Sequence, residues 1–309
     1  MYNVINDLKS IYPHHSSALH TGRNKLEEES SNWFPQSACS MLEISAMTLY
    51  LIPCAITQGC FGVFFKSSEA GLGCLASKCG HVFRDESIGP NCISCVVMSS
   101  SSVLDITDRC HKMFGSDLRL NPSGLMVMSK KPLFNAIYSP YFDDKDMTLH
   151  RGFIQTEVEG VGKIVCTHLT HAFEHYFEYD LPFSNYSEQN LVEIETIHER
   201  FGTSNHILAA DLNTGQAVSS SDSEKNLTAQ APESIDLLTS YGYDTEKYLS
   251  DDGRCTYCLS NDLVRTHNVA IDNVLLMGNA FSSVTKQRVL DQTDPNLSDH
   301  YGVRATLCT

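Results

Sequence analysis

His206-Ile207-Leu208-Ala209-Ala210-Asp211-Leu212-Asn213 opens on apolar residues and closes on two polar ones, two positions apart. A short apolar run that stops abruptly at hydrophilic side chains reads as a buried strand whose end reaches a cleft. Successive strand side chains point to opposite faces, so Asp211 and Asn213 face the same side if the backbone stays extended. The same pattern recurs on either side. Upstream, Lys163-Ile164-Val165-Cys166-Thr167-His168-Leu169 is an apolar run ending in polar residues, and Gly152 to Val158 alternates. Leu125-Met126-Val127-Met128-Ser129 follows the turn signal Asn121-Pro122-Ser123-Gly124. Downstream, the run from Asn268 to Leu276 carries Asp272 and Asn273, and Ser298-Asp299 leads into a last strand over His300 to Leu307. Between Tyr186 and Phe201, Leu191, Ile194 and Ile197 fall at helical spacing. Strands interleaved with helices predict a layered α/β sandwich.

The remaining composition narrows the class. The chain has 309 residues, 42% hydrophobic and 19% charged, which suits a folded domain with a sizeable core. Its net charge of −15 argues against a strong basic patch that grips nucleic acid through counterion release. The most apolar stretch, Met41 to Phe65, is broken by Glu43, Pro53 and Gln58, so no transmembrane segment is expected. Met1 to Ser10 lacks the basic start and apolar block of a signal peptide. Of the 12 cysteines, Cys39, Cys54, Cys60, Cys74, Cys79, Cys92, Cys95 and Cys110 crowd one block. Leu42, Ile44, Met47, Leu51 and Ala55 in that block share a helical face, so it reads as short helices stapled by disulfides. Cys92/Cys95 and Cys255/Cys258 form Cys-x-x-Cys pairs, too far apart for one zinc finger, and an oxidising compartment explains the cysteines better than zinc. The sequons at Asn185, Asn226 and Asn296 point the same way, toward a secreted glycoprotein. Three parts are expected: residues 1–38, a cysteine-rich helical insertion over 39–112, and a main domain over 113–309.

Four polar groups stand at strand ends in a fixed order: Thr167-His168-Leu169, Ala210-Asp211-Leu212-Asn213, Ile271-Asp272-Asn273 and Ser298-Asp299-His300-Tyr301. In this order the chain resembles the endonuclease/exonuclease/phosphatase superfamily, the deoxyribonuclease-I-like fold, and within it the neutral sphingomyelinase-like branch. Gly124 to Ser129 is similar to the family's Gly-Leu-x-x-Leu-Ser strand, and Arg151-Gly152-Phe153 to its Arg-Gly motif. Thr256-Tyr257 and Asn261 stand where the family has Thr-aromatic and Asn-Pro, with Asp262 in place of the proline. The likeness runs from about Asn121 to Leu307, and the cysteine block looks like an insertion. It implies a four-layer α/β/β/α sandwich and metal-dependent hydrolysis of a phosphodiester or phosphate ester, on nucleic acid or a sphingophospholipid.

The resemblance assigns roles. Asp211 would activate the attacking water and Asn213 would meet a phosphate oxygen. Asp272 would hydrogen-bond His300, which meets the phosphate as imidazolium. His168 would contact the phosphate or the leaving group. Asp299, with Asp211, would hold the metal, and hard oxygen ligands favour Mg2+ or Mn2+. His171 and His175 continue a His-x-x-His-x-x-x-His pattern and are expected to be loop or surface residues, and Cys166 a buried thiol or disulfide partner. One departure stands against these matches. The family begins with an Asn strand and a Gln-Glu strand whose Glu is the principal metal ligand. The segment from Asn6 to His14 instead looks like the helix and strand that come after those two. The chain is therefore expected to lack that ligand, so metal binding would be weakened or lost. An inactive secreted binding module on the same scaffold is the alternative.

Overall fold

The computed structural model describes residues 8–17, 40–60, 78–79, 124–142, 151–171, 183–264, 266–279, 281, 283–292 and 298–308. Its strands are β1 (His14–Ser17), β2 (Met126–Ser129), β3 (Leu133–Pro140), β4 (Gly152–Val158), β5 (Gly162–His168), β6 (His206–Asp211), β7 (Asp272–Met277), β8 (Ser283–Val289) and β9 (Gly302–Cys308). Its helices are α1 (Met41–Thr57), α2 (Tyr186–Phe201) and α3 (Pro232–Tyr241).

Five strands form the central sheet in the order β3-β4-β5-β6-β7. Among the described strands only β5 and β6 run parallel, pairing Ile164 with Ile207 through to His168 with Asp211. That register sets the last residues of both strands side by side. The β6–β7 pairing is antiparallel and ends at Asp211 opposite Asp272. Three strands therefore deliver His168, Asp211 and Asp272 to one edge of the sheet.

Both faces of the sheet are covered. On one face Phe153, Val165, Leu208 and Leu275 pack with Ile194 and Ile197 of α2 and Ile235 and Leu238 of α3. On the other, Ile207 and Leu276 join Val284 of β8, with Leu307 of β9 packed against them. The result is a mixed α/β architecture with α2 and α3 on one side of the sheet and the β8–β9 hairpin on the other. Helix α2 starts at Asn185, whose side chain accepts from the Glu188 N–H at 2.9 Å. This cap, with the apolar spacing, explains why the helix begins where the periodicity predicts.

Gly152 shows why the Arg-Gly pair cannot vary freely. A β-carbon there would fall 2.3 Å from the Ser139 carbonyl oxygen, where β4 crosses β3 opposite Pro140. No side chain fits at that approach.

Helix α1 is capped by a reciprocal pair in which the Glu43 N–H donates to Ser40 Oγ and the Ser40 N–H to the Glu43 carboxylate. Leu51 and Ala55 are buried as expected, but Leu42 is 83% exposed, so the apolar face predicted for this helix is not continuous. A disulfide links Cys54 to Cys79, and Cys60 is also disulfide-bonded. Cys39, Cys74, Cys92, Cys95 and Cys110 lie outside the described residues, as do His175 and Asn296. Cys255 and Cys258 are joined as a disulfide, which removes them from a zinc reading. Cys166 is a free thiol, and burial pushes it up to about 11. Among the described residues no helix is long and apolar enough to cross a membrane.

Candidate active site

The site is built at the C-terminal ends of β5 and β6 and the N-terminal end of β7. The loop before β9 adds His300. Its Nδ1 lies 2.8 Å from Asp272 Oδ2 and 3.9 Å from Asp211 Oδ2. His168 Nε2 lies 3.4 Å from the same Asp211 oxygen. A row therefore runs from His168 through Asp211 to His300 and Asp272, with Asp211 Oδ2 facing both imidazoles.

Local backbone explains the placement of each group. Past Asp211 the chain does not stay extended, because Asn213 adopts a left-handed conformation with φ of 47°. Asparagine is among the few residues that tolerate it. The turn brings the Asn213 N–H to Asp211 Oδ1 at 3.0 Å, which fixes the carboxylate plane. Asn213 itself is 1% exposed, and its amide Nδ2 donates to the Leu169 carbonyl at 2.9 Å. The amide expected to meet a phosphate oxygen is thus tied through one N–H to the strand end beside it.

Asp272 and His300 rest on a second support, residues 255–261. The Thr256 hydroxyl accepts from the backbone N–H groups of Ile271 and Asp272, at 3.1 and 3.2 Å. The Thr256 carbonyl accepts from the Tyr301 N–H at 2.8 Å. Asn261 Nδ2 donates to the Ser298 carbonyl at 2.8 Å, and the Tyr257 ring stands edge-on to His300 at 5.3 Å. The Cys255–Cys258 disulfide brackets this segment, and the buried Arg288 guanidinium reaches Cys258 Sγ at 3.4 Å and the Cys255 carbonyl at 3.3 Å. Thr256 and Asn261 therefore brace the carboxylate–imidazole pair rather than face the cleft. Asp262, at the position where the family's proline is expected, is exposed.

Electrostatics separate the two histidines. For His300, burial works against the charged form. The hydrogen bond and charge of Asp272 outweigh it, helped by Asp211 and Asp299, and carry the imidazole up to about 9. It is a cation at neutral pH. His168 is pushed down by its packing and then by the cations Arg151 and His300, so it stays neutral, although its side chain is 45% exposed. Burial and the neighbouring charge of Asp272 raise Asp211 to about 7. His171 is half-buried in the loop after β5, and burial followed by Arg151 and His300 lowers it to about 4. It is a loop histidine, as expected, but not a surface one.

Asp211, Asp272 and His300 each offer a ligand atom within 4.8 Å of the others. Two carboxylates suit a hard divalent ion. His300 does not, because its Nδ1 donates a proton to Asp272 in the state favoured at neutral pH. Asp299, named from the sequence as a metal ligand, is exposed and is not brought into this trio. Its carboxylate accepts from Ser298 Oγ at 3.2 Å. The carboxylates present fit a divalent ion only as a sparse ligand set.

Three residues hold the site from behind; the sequence singled out Arg151 only as part of the Arg-Gly motif, and Glu193 and Asn190 not at all. Arg151 donates from Nη1 to the carbonyls of His168 and Leu169, at 3.1 and 2.6 Å. Glu193 and Asn190 act on the same loops from α2. The signal available was a Gln, an Asn and a Glu interrupting the apolar face of an otherwise regular helix.

No family model and no curated protein matches the chain. Among solved structures it is similar to an endonuclease/exonuclease/phosphatase from Beutenbergia cavernae, at 21% identity and a TM-score of 0.40, covering 58% of this chain and 45% of that one. It is also similar to a 3'-5' exonuclease from Neisseria meningitidis, at 16% identity and a TM-score of 0.41, covering 60% and 75%. A sphingomyelinase C from Streptomyces griseocarneus matches at 15% identity and a TM-score of 0.42, covering 60% and 68%. The chain thus spans less than half the length of the Beutenbergia protein.

Proposed function

We propose that this site hydrolyses a phosphate ester, with phosphodiesters as the substrate class, by in-line attack of water. The observation that carries the reading is the row His168, Asp211, His300 and Asp272, spaced at 3.4, 3.9 and 2.8 Å along one sheet edge. Two carboxylates and two imidazoles so placed supply a base, a cation for developing charge and a partner that orients it.

Asp211, raised to about 7, is matched to accepting a proton near neutral pH. As water attacks phosphorus, its proton passes to Asp211 Oδ2 and the new P–O bond forms while the bond to the leaving oxygen breaks. His300, held as imidazolium by Asp272, presents its Nε2–H to a phosphoryl oxygen. Neutral His168, on the other side of Asp211, contacts the phosphate or the leaving oxygen, which takes its proton from solvent. A divalent ion, magnesium or manganese, held by Asp211 and Asp272 would polarise the phosphoryl oxygens. The net charge of −15 disfavours a broad electrostatic grip on nucleic acid, and either nucleic acid or a sphingophospholipid fits the chemistry. The Cys54–Cys79 and Cys255–Cys258 disulfides support placement outside the cell, and the sequon residues Asn185 and Asn226 are exposed enough to carry glycans.

One observation favours a second reading, an inactive binding module. The His300 imidazolium already pairs with one of the two carboxylates, Asp272, and among the described residues no glutamate joins the Asp211–Asp272–His300 group. The test is turnover of bis(p-nitrophenyl) phosphate, sphingomyelin and a short DNA by the full chain with Mg2+ or Mn2+, against a chelator. Metal-dependent turnover that Asp211→Ala abolishes supports the hydrolase. Phosphate binding without turnover of any of the three supports the binding module.

A further inference from the structure

The backbone just after β5 carries no side chain used in the chemistry above beyond His168, yet ionisable groups are buried to hold it. Thr170 is 3% exposed. Its N–H donates to Glu193 Oε2 at 2.7 Å and its hydroxyl to Glu193 Oε1 at 2.6 Å. Gln189, one turn earlier on α2, donates to the same carboxylate at 3.0 Å. From the opposite side of the segment, Arg151 holds the carbonyls of His168 and Leu169. A carboxylate on one side and a guanidinium on the other grip residues 168–170 by both kinds of backbone group.

Asn190 extends the frame to β6. Its Nδ2 donates to the Thr170 carbonyl at 3.1 Å and to the Leu212 carbonyl at 3.0 Å, and its Oδ1 accepts from Ser234 Oγ at 2.7 Å. The two loops that carry His168 and Asp211 are therefore fastened to one helix.

Glu193 is 0% exposed, and an apolar side chain would fill the same core volume without desolvating a carboxylate. It would also leave the Thr170 N–H buried and unpaired. Burial raises the Glu193 carboxyl, while Arg151 and the Thr170 and Gln189 donors favour its ionised form.

We infer that Glu193 is a positioning residue: acting through Thr170 from behind the cleft, it fixes the backbone that sets His168 Nε2 against Asp211 Oδ2. The chemistry it positions for, phosphate-ester hydrolysis, rests on the function proposed above.

Glu193→Gln conserves shape but turns one of the two acceptors that meet the Thr170 N–H, the Thr170 hydroxyl and Gln189 Nε2 into a donor. Three measurements on the full chain test it: thermal unfolding, the imidazole 1H–15N correlations of His168 at one fixed neutral pH, and steady-state turnover of bis(p-nitrophenyl) phosphate. The expected result is a folded variant with displaced His168 correlations, unchanged His300 correlations and faster exchange of the Thr170 amide. Its kcat falls by about a hundredfold, with KM nearly unchanged, the scale of an ångström-sized misplacement. A folded variant with wild-type His168 correlations overturns the inference. If Glu193→Gln does not fold, Thr170→Val, which removes only the hydroxyl donor, must move the His168 correlations in the same direction, and its failure to do so equally overturns it. If the wild-type chain shows no turnover, the functional reading fails, and the His168 correlations alone decide the positioning role.

Discussion

Replacing Asp272 by asparagine keeps the shape of the site and removes the charge that holds His300 as a cation. His300 moves from an ordinary 6.5 to about 9 in the fold, and Asp272 is the main cause opposing burial. At 1.36 kcal/mol per pH unit that interval corresponds to about 3 kcal/mol of preference for the imidazolium in the folded chain. A base raised on folding contributes stability that is fully present below its unfolded value and lost as pH rises through the folded one. The wild-type chain, in chelator, should therefore lose about 3 kcal/mol of stability between pH 6.5 and about 9 from this group. Asp211 acts with the same sign in a lower window. Its carboxyl goes from 3.8 to about 7, so the stability it contributes is present below 3.8 and gone above about 7. In Asp272→Asn burial again dominates His300, whose titration falls back toward the ordinary value, and Asp211 drops with the loss of its anionic neighbour. Imidazole carbon–proton NMR through the titration, paired with urea unfolding below 6.5 and above about 9, reads both effects. Two outcomes would show that Asp272 does not hold His300 as a cation. One is a wild-type His300 that titrates at the ordinary histidine value. The other is a variant whose stability falls over the upper window as steeply as wild type.

Gly152→Ala should cost at least about 2 kcal/mol in urea unfolding, the range of overpacking penalties, because its new methyl group meets backbone at 2.3 Å. An unchanged midpoint would mean that β3 and β4 can separate freely there. Removing the Cys255–Cys258 disulfide with a double serine variant should cost about 2 kcal/mol by the chain-entropy relation for so short a loop. It should also shift the His300 imidazole resonance, since the bracketed Thr256 supports both Asp272 and the residue after His300. Stability loss with an unmoved His300 would confine the bridge to a local role. Thiol titration of the unfolded, unreduced chain should find Cys166 reactive and Cys54, Cys60, Cys79, Cys255 and Cys258 protected. Labelling of Cys255 or Cys258 would contradict this pairing.

Much of the central sheet was legible because its strands obey simple patterning. β4 appears at its expected bounds, β5 and β6 within a residue of theirs, and α2 spans Tyr186–Phe201 as its apolar spacing indicates. The strands missed are those where polar demands override the pattern. β3 has Asn135 at φ of 51°, a register shift between Phe134 and Ile137 and exposed apolar side chains, so alternation is lost. β8 turns Lys286 and Arg288 inward, and only the structure reveals that Asn273, Glu224 and Asp291 satisfy them. Asp272, Asp211, His168 and His300 were legible as a set because each closes, opens or precedes a strand. Their mutual charges were not, since these arise from distances that only the parallel β5–β6 register and the Thr256 support create. Glu193 was illegible for a related reason: a glutamate on a helix reads as solvated until its buried partner, Thr170, is known.

Hydrolysis run in water enriched in heavy oxygen tests the proposed attack at phosphorus. Incubated with Mg2+ or Mn2+ and a phosphodiester, the chain should release a phosphomonoester carrying one solvent oxygen and an unlabelled alcohol, and Asp211→Ala should release neither. Solvent oxygen found in the alcohol would contradict attack at phosphorus. So would no product under either metal from a chain whose His168, Asp211, His300 and Asp272 are shown by NMR to be assembled.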